Sequence, residues 1–145
     1  MNEKKLKSHL SALDREGVTL YIFKEGILLY RSVRSGIAPL IEAVNKLGVR
    51  SLSGSTVIDK IVGKAAALII SYFQAREVYT HLISRAATKV LDENGIAFYF
   101  EKLTDQIKSK NGLSICPFEL AVEEIDEPKV GYETLRNLLK KDASR

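Results

Sequence analysis

The chain has 145 residues, 46% of them apolar and 28% charged, with one Cys, no Trp and a formal net charge of +4. That length fits a single domain, 1–145, which hides roughly 68% of the surface of its unfolded form and needs no metal or disulfide staple. The apolar content excludes a disordered chain. No apolar run reaches the ~18 residues of a membrane span, and the charges are interspersed rather than massed as in a nucleic-acid binder.

Leu6, Leu10 and Leu13 recur at helical spacing between Asn2 and Gly17, which predicts an amphipathic helix over 2–16. The period then changes. Segments 18–23 and 27–33 are rich in Val, Ile, Leu, Tyr and Phe around Lys24-Glu25-Gly26, the pattern of a hairpin. Pro39 suits a first helical turn, and Leu40, Ile41, Val44 and Leu47 give a short helix closed by Gly48. A polar loop, 51–56, leads into a predicted helix over 57–73, capped by Ser55 or Thr56 and almost wholly apolar after two turns. Such a helix is buried, and Ala65, Ala66 and Ala67 let it press on a sheet. A strand over 77–83, a helix over 85–93 closed by Asn94-Gly95, and a strand over 96–101 form a parallel crossover unit. The remainder reads as a polar loop ending at Ile115-Cys116-Pro117, a helix over 118–125 and a last helix over 132–141. The fold class is α/β, a three-layer α/β/α arrangement around a mixed sheet of roughly four to five strands.

The polar residues at the start of the buried helix are the most informative. A helix N-terminus offers unpaired N–H groups and partial positive charge, which suit an anion or a carbonyl oxygen. Asp59, Lys60 and Lys64 gather there, the two lysines four apart on one predicted helical face. Gly63 costs roughly 1 kcal/mol against Ala inside a helix, so close packing or a ligand is expected beside it. The run Ile61-Val62-Gly63-Lys64 fails as a phosphate-binding loop, because Ile58 stands where its first glycine belongs and Ala65 where its Ser or Thr belongs. Cys116 before a helix is a candidate nucleophile and equally a plain buried thiol. A solitary Cys closes no internal disulfide. His9 and His81 have no partner at metal-ligand spacing, so no metal and no cofactor are expected; Glu101 and Asp105 show no readable pairing.

The order of predicted elements is similar to that of the cytidine deaminases. In that family His-x-Glu or Cys-x-Glu opens the buried helix, and Pro-Cys-x-x-Cys opens the helix after the next strand. Here the two places read Gly63-Lys64-Ala65-Ala66 and Ser84-Arg85-Ala86-Ala87, so every zinc ligand and the proton shuttle are missing. More closely, the chain resembles the DUF1893 family, a prokaryotic domain of unknown function whose fold is deaminase-like without the zinc centre. The resemblance rests on Gly36-Ile37-Ala38-Pro39-Leu40, on the run from Asp59 through Gly63 and Lys64 to Ala67, on Ser84 with Ala87, and on Cys116-Pro117-Phe118-Glu119. It implies that Asp59, Lys60, Lys64, Ser84, Cys116 and Glu119 line the place of the deaminase pocket.

The expected function is zinc-free binding of a small anionic or nucleoside-like ligand, with no deamination. One alternative is a metal-free enzyme with Cys116 or Lys64 as nucleophile. Another is an interaction or assembly module using a sheet edge, for which a homodimer is one form. The first residues carry no apolar signal region, so a cytoplasmic protein without membrane or nucleic-acid partners is expected.

Overall fold

The computed structural model describes residues 2–109 and 111–143, the last by its backbone alone; Met1, Lys110, Ser144 and Arg145 lie outside the described residues. In chain order the elements are α1 (Asn2–Arg15), β1 (Leu20–Lys24), β2 (Ile27–Ser32), α2 (Ala38–Leu52), β3 (Thr56–Val62) and α3 (Lys64–Tyr72). They continue with β4 (Glu77–Ser84), α4 (Arg85–Glu93), β5 (Ala97–Thr104), α5 (Pro117–Ala121) and α6 (Pro128–Ala143).

The expected hairpin is present. Glu25 and Gly26 both take positive φ, 52° and 79°, between paired Lys24 and Ile27, as a two-residue turn of the primed type requires. The predicted parallel unit β4-α4-β5 also forms, with α4 over the expected residues.

The predicted helix over 57–73 is corrected. Its first part is strand β3, which pairs antiparallel with β1 and parallel with β4, and only its second part is helix α3. Thr56, Val57, Ile58, Ile61 and Val62 are β-branched and suit a strand at the centre of a sheet, where 57–59 are buried in succession and no alternation shows. Gly63 separates the two elements, and the Ala run begins only after it. A second crossover unit, β3-α3-β4, follows, and the sheet has five strands in the order β2-β1-β3-β4-β5.

Smaller boundaries also differ. Helix α2 continues past Gly48, which kinks it with φ 82° and ψ 155°. Strand β5 extends to Thr104, α5 stops at Ala121, and α6 starts at Pro128, where Pro suits the first turn.

Helices cover both faces of the sheet. On one face α1 packs on β3, β4 and β5 and closes a small core of Leu10, Leu13, Val18, Tyr21, Ile58 and Tyr79. On the other lies the main core, beneath α2, α3 and α4, with α6 laid outside α3. This outer helix explains why α3 is buried on every side from Lys64 to Ser71. Gly131 sets the approach of α6: a Cβ there would stand 2.8 Å from Leu68 Cδ1. Tyr132 stacks on Tyr72 at 4.6 Å between ring centres, and its hydroxyl donates to Asn45 Oδ1 at 3.0 Å.

Candidate functional site

Strands β3 and β4 run parallel and in register, Val62 beside Ile83, so their carboxyl ends lie together. Such ends are where open α/β sheets place ligands. Each strand turns directly into a helix there. Ser84 caps α4, its Oγ accepting from Ala87 N at 3.1 Å, and is buried. Gly63 precedes α3 and has no side chain to cap it.

The missing cap comes from α5. The Glu119 carboxylate accepts from Lys64 N at 2.7 Å through Oε1 and from Ala65 N at 2.8 Å through Oε2. An N-terminus with aligned dipoles favours a negative group at this point. A Cβ on residue 63 would stand 2.4 Å from Glu119 Oε1, so only glycine leaves the carboxylate its place. Burial raises the Glu119 pKa above the ordinary carboxylate range, and the two amides and Lys64 offset part of that rise.

Lys64 is buried, 9% exposed, but its ammonium is not alone. Nζ donates to the Glu123 carbonyl at 3.0 Å and pairs with Asp126 Oδ1 at 3.0 Å. Hydrogen bonding to Lys64 holds Asp126 below the usual carboxylate range. Backbone and side chain of one residue thus both grip the segment that carries α5. Glu123 lies beyond the end of α5, and its carbonyl is what Lys64 binds.

Asp59 is on β3, not at a helix start, beside Leu20 on β1 and Thr80 on β4. It is 8% exposed, and burial pushes its pKa up to about 8 despite bonds from the backbone N–H groups of Lys60 and Ile61. Thr80, at the matched level, donates through Oγ1 to the Leu82 carbonyl at 3.1 Å. Both strands slip their alternation by one just beyond: Val57 and Val62, like Val78 and Ile83, reach the same core although they are five positions apart. A polar side chain bonding two residues ahead is the local cause we find for both slips.

Lys60 is also on β3. It is exposed, donates its backbone N–H to Thr19 O at 3.0 Å, and does not share a helical face with Lys64 as the predicted helix required. Cys116 heads α5, its carbonyl accepting from Glu119 N at 3.0 Å and Leu120 N at 3.1 Å. Its thiol is half-buried and has no hydrogen bond among the described residues, and the helix behind it has only five residues. The structure therefore joins Lys64 with Glu119, sets Ser84 at the neighbouring strand end, places Asp59 beneath the same core, and leaves Lys60 outside.

Other polar groupings lie across the sheet, where no spacing signalled them. His81 on β4 bonds Asp14 of α1 through Nε2 at 2.9 Å and Glu101 of β5 through Nδ1. Both acceptors are carboxylates, so only the doubly protonated ring donates to both. Burial lowers the His81 pKa, but the two carboxylates raise it by more, and the net direction is up. Asp105 pairs with Arg85 at 2.7 Å. Among the described residues no three His, Cys, Asp or Glu side chains converge as metal ligands. No helix among them is long and apolar enough to cross a membrane.

Comparison with known proteins places the chain. The family model for TM1506, a domain of unknown function (DUF1893), matches residues 8–139. The crystal structure of a DUF1893 family protein, TM1506 from Thermotoga maritima at 2.70 Å, superimposes with a TM-score of 0.80 at 33% identity, covering 94% of this chain and 88% of that one. No curated protein matches the chain. With a family model spanning most of its length and the same helix-flanked sheet, the chain belongs to the DUF1893 family.

Proposed function

We propose that this protein is a zinc-free, deaminase-like binding protein of the cytoplasm that holds a small anionic or nucleoside-like ligand at the β3–α3 junction and does not deaminate it. The observation that carries the reading is burial. Asp59 and Lys64 are the only charged-type side chains buried among the described residues, and they flank this one junction. Burying such groups is costly unless they are satisfied, and polar groups of this kind concentrate at functional sites. At neutral pH a carboxyl that titrates near 8 keeps its proton, so Asp59 offers a donor to a carbonyl or ring nitrogen. Ser84 adds a hydroxyl at the neighbouring strand end.

Glu119 defines the anionic part of the reading. It already rests on the first two amides of α3, where a ligand carboxylate or phosphate would rest, so such a ligand binds by displacing it. Lys64, bonded to Asp126 and Glu123, serves as an anchor for the segment after α5 rather than as a nucleophile. The test is thermal denaturation of wild type, Asp59→Asn and Asp59→Val against a panel of nucleosides, nucleotides and small carboxylates. A true ligand raises Tm with concentration as RT ln(1 + [L]/Kd) requires, Asn preserves the effect as a neutral donor, and Val removes it. If no compound stabilises the wild type, or if Val responds as wild type does, the reading is wrong.

A further inference from the structure

On the other side of the sheet, between α1 and the β1–β2 hairpin, lies a cavity of about 470 Å³, within the size range of small-molecule sites. We infer that it is a second binding site, independent of the β3–α3 junction, and that it takes a small aromatic compound with N–H donors on its ring edge.

Its walls are apolar and aromatic. Tyr21 and Phe23 of β1 stand 5.5 Å apart between ring centres, tilted by 42°, with Ile58 behind them and Leu28 at the rim. Leu28 is there because of a bulge. Ile22 pairs with Tyr30 and Phe23 with Leu28, which leaves Leu29 as the extra residue. Leu29 and Tyr30 both pack against the main core, and Leu28 comes opposite Phe23 on the cavity side. Without the bulge Leu28 would share the face of Tyr30. Bulges that re-aim a side chain are common beside functional sites.

The polar groups in the cavity suit N–H donors. His9 projects from α1 and Glu16 from the turn just after it, where Glu16 N still donates to Ala12 O at 3.1 Å, and both line the cavity. The Tyr21 hydroxyl donates to Glu16 Oε2, which fixes the carboxylate and leaves Oε1 to accept. The ring nitrogens of His9 have no hydrogen bond among the described residues; its ring leans on Tyr79 at 4.7 Å, and burial lowers its pKa, so it offers one donor and one acceptor. Aromatic faces beside a carboxylate acceptor favour a flat N–H-bearing ring and disfavour an anion.

Indole is a direct probe, because the chain has no Trp and indole emission has no tryptophan background. Wild type is expected to bind it saturably with a blue shift. Ala12→Leu, which fills the cavity from α1, and Glu16→Ala, at an exposed position, are each expected to weaken binding about tenfold or more. Lys64→Met leaves it unchanged, and benzoate, an anion like the Glu16 carboxylate, binds more weakly than indole. Far-UV circular dichroism checks that the variants fold; if Ala12→Leu does not, Glu16→Ala decides. The inference is overturned if wild type shows no saturable binding, if Glu16→Ala binds as wild type does, if benzoate competes equally, or if Lys64→Met alone abolishes the signal.

Discussion

Gly63 and Glu119 are fifty-six residues apart, yet the geometry ties the fate of one to the other, and a double-mutant cycle measures that tie. In Gly63→Ala the new Cβ meets the Glu119 carboxylate at 2.4 Å, and the backbone itself is no obstacle, since residue 63 has φ −96°. The carboxylate swings away and gives up its bonds to Lys64 N and Ala65 N. Hydrogen bonds to a charged group are worth about 1.5–3 kcal/mol each; the low end applies where water reaches the site, so the loss is about 3 kcal/mol. Replacing glycine restricts the unfolded chain and returns about 0.4–1 kcal/mol, which leaves a net cost of about 2 kcal/mol. At ~3 °C per kcal/mol that is a fall of about 6 °C in Tm. Glu119→Ala loses the same bonds and costs about 3 kcal/mol. In its background Gly63→Ala has nothing left to displace, and the entropy gain offsets the poorer N-cap to within about 0.5 kcal/mol of zero. Urea unfolding followed by circular dichroism should therefore give a coupling of about 2 kcal/mol or more. Equal costs of Gly63→Ala in both backgrounds would refute the account of the glycine.

Three further outcomes follow from the same groups. Between its ordinary pKa of 3.8 and about 8, Asp59 keeps its proton in the folded state while the unfolded chain loses it, so its share of stability falls as pH rises through that window and is level beyond it; urea midpoints of Asp59→Asn should lack that decline. For His81 the folded pKa is raised, so its stabilisation is full below 6.5 and is lost as pH rises through the folded value; His81→Leu should remove this alkaline loss, and a variant that keeps it would exclude the Asp14–His81–Glu101 bridge as its source. Inorganic phosphate at low millimolar concentration should raise the Tm of Glu119→Ala and leave wild type unmoved, because Glu119 already fills the α3 terminus; equal response in both would show that phosphate binds elsewhere.

What the sequence made legible was local. Helix α1, the hairpin and α4 were marked by periodicity and by punctuation at Gly17, Glu25-Gly26 and Asn94-Gly95, each enforced by neighbours a few residues away. Strand β3 escaped because burial between β1 and β4 erases the alternation that identifies a half-exposed strand. Its β-branched residues and the glycine at 63 were the available signal, against an apolar run that continued straight into Ala65. Asp59, Lys60 and Lys64 group on one predicted helix, but the helix begins only at Lys64, so Lys60 stands exposed on β3 apart from it. The bridge from Asp14 through His81 to Glu101 joins three separate elements, and no spacing along the chain encodes it.

The two stretches that carried the family resemblance, around Gly63-Lys64 and around Cys116-Pro117-Phe118-Glu119, have a common physical cause: they touch. Glycine at 63 makes room for a carboxylate at 119, the carboxylate caps α3, and Lys64 binds the chain that follows. The terminus of a buried helix needs its amides satisfied, which Gly63 cannot do, and the five-residue α5 needs an anchor. A tethered carboxylate does both tasks, closing the helix and fixing α5 against it. The same tether sets a threshold for ligands, since an intramolecular group competes at an effective concentration of ~1 mM or above. On the proposed reading, a ligand that also engages Asp59 or Ser84 overcomes that threshold more readily than a lone anion does, and selectivity at the junction falls to those neutral donors rather than to the charge.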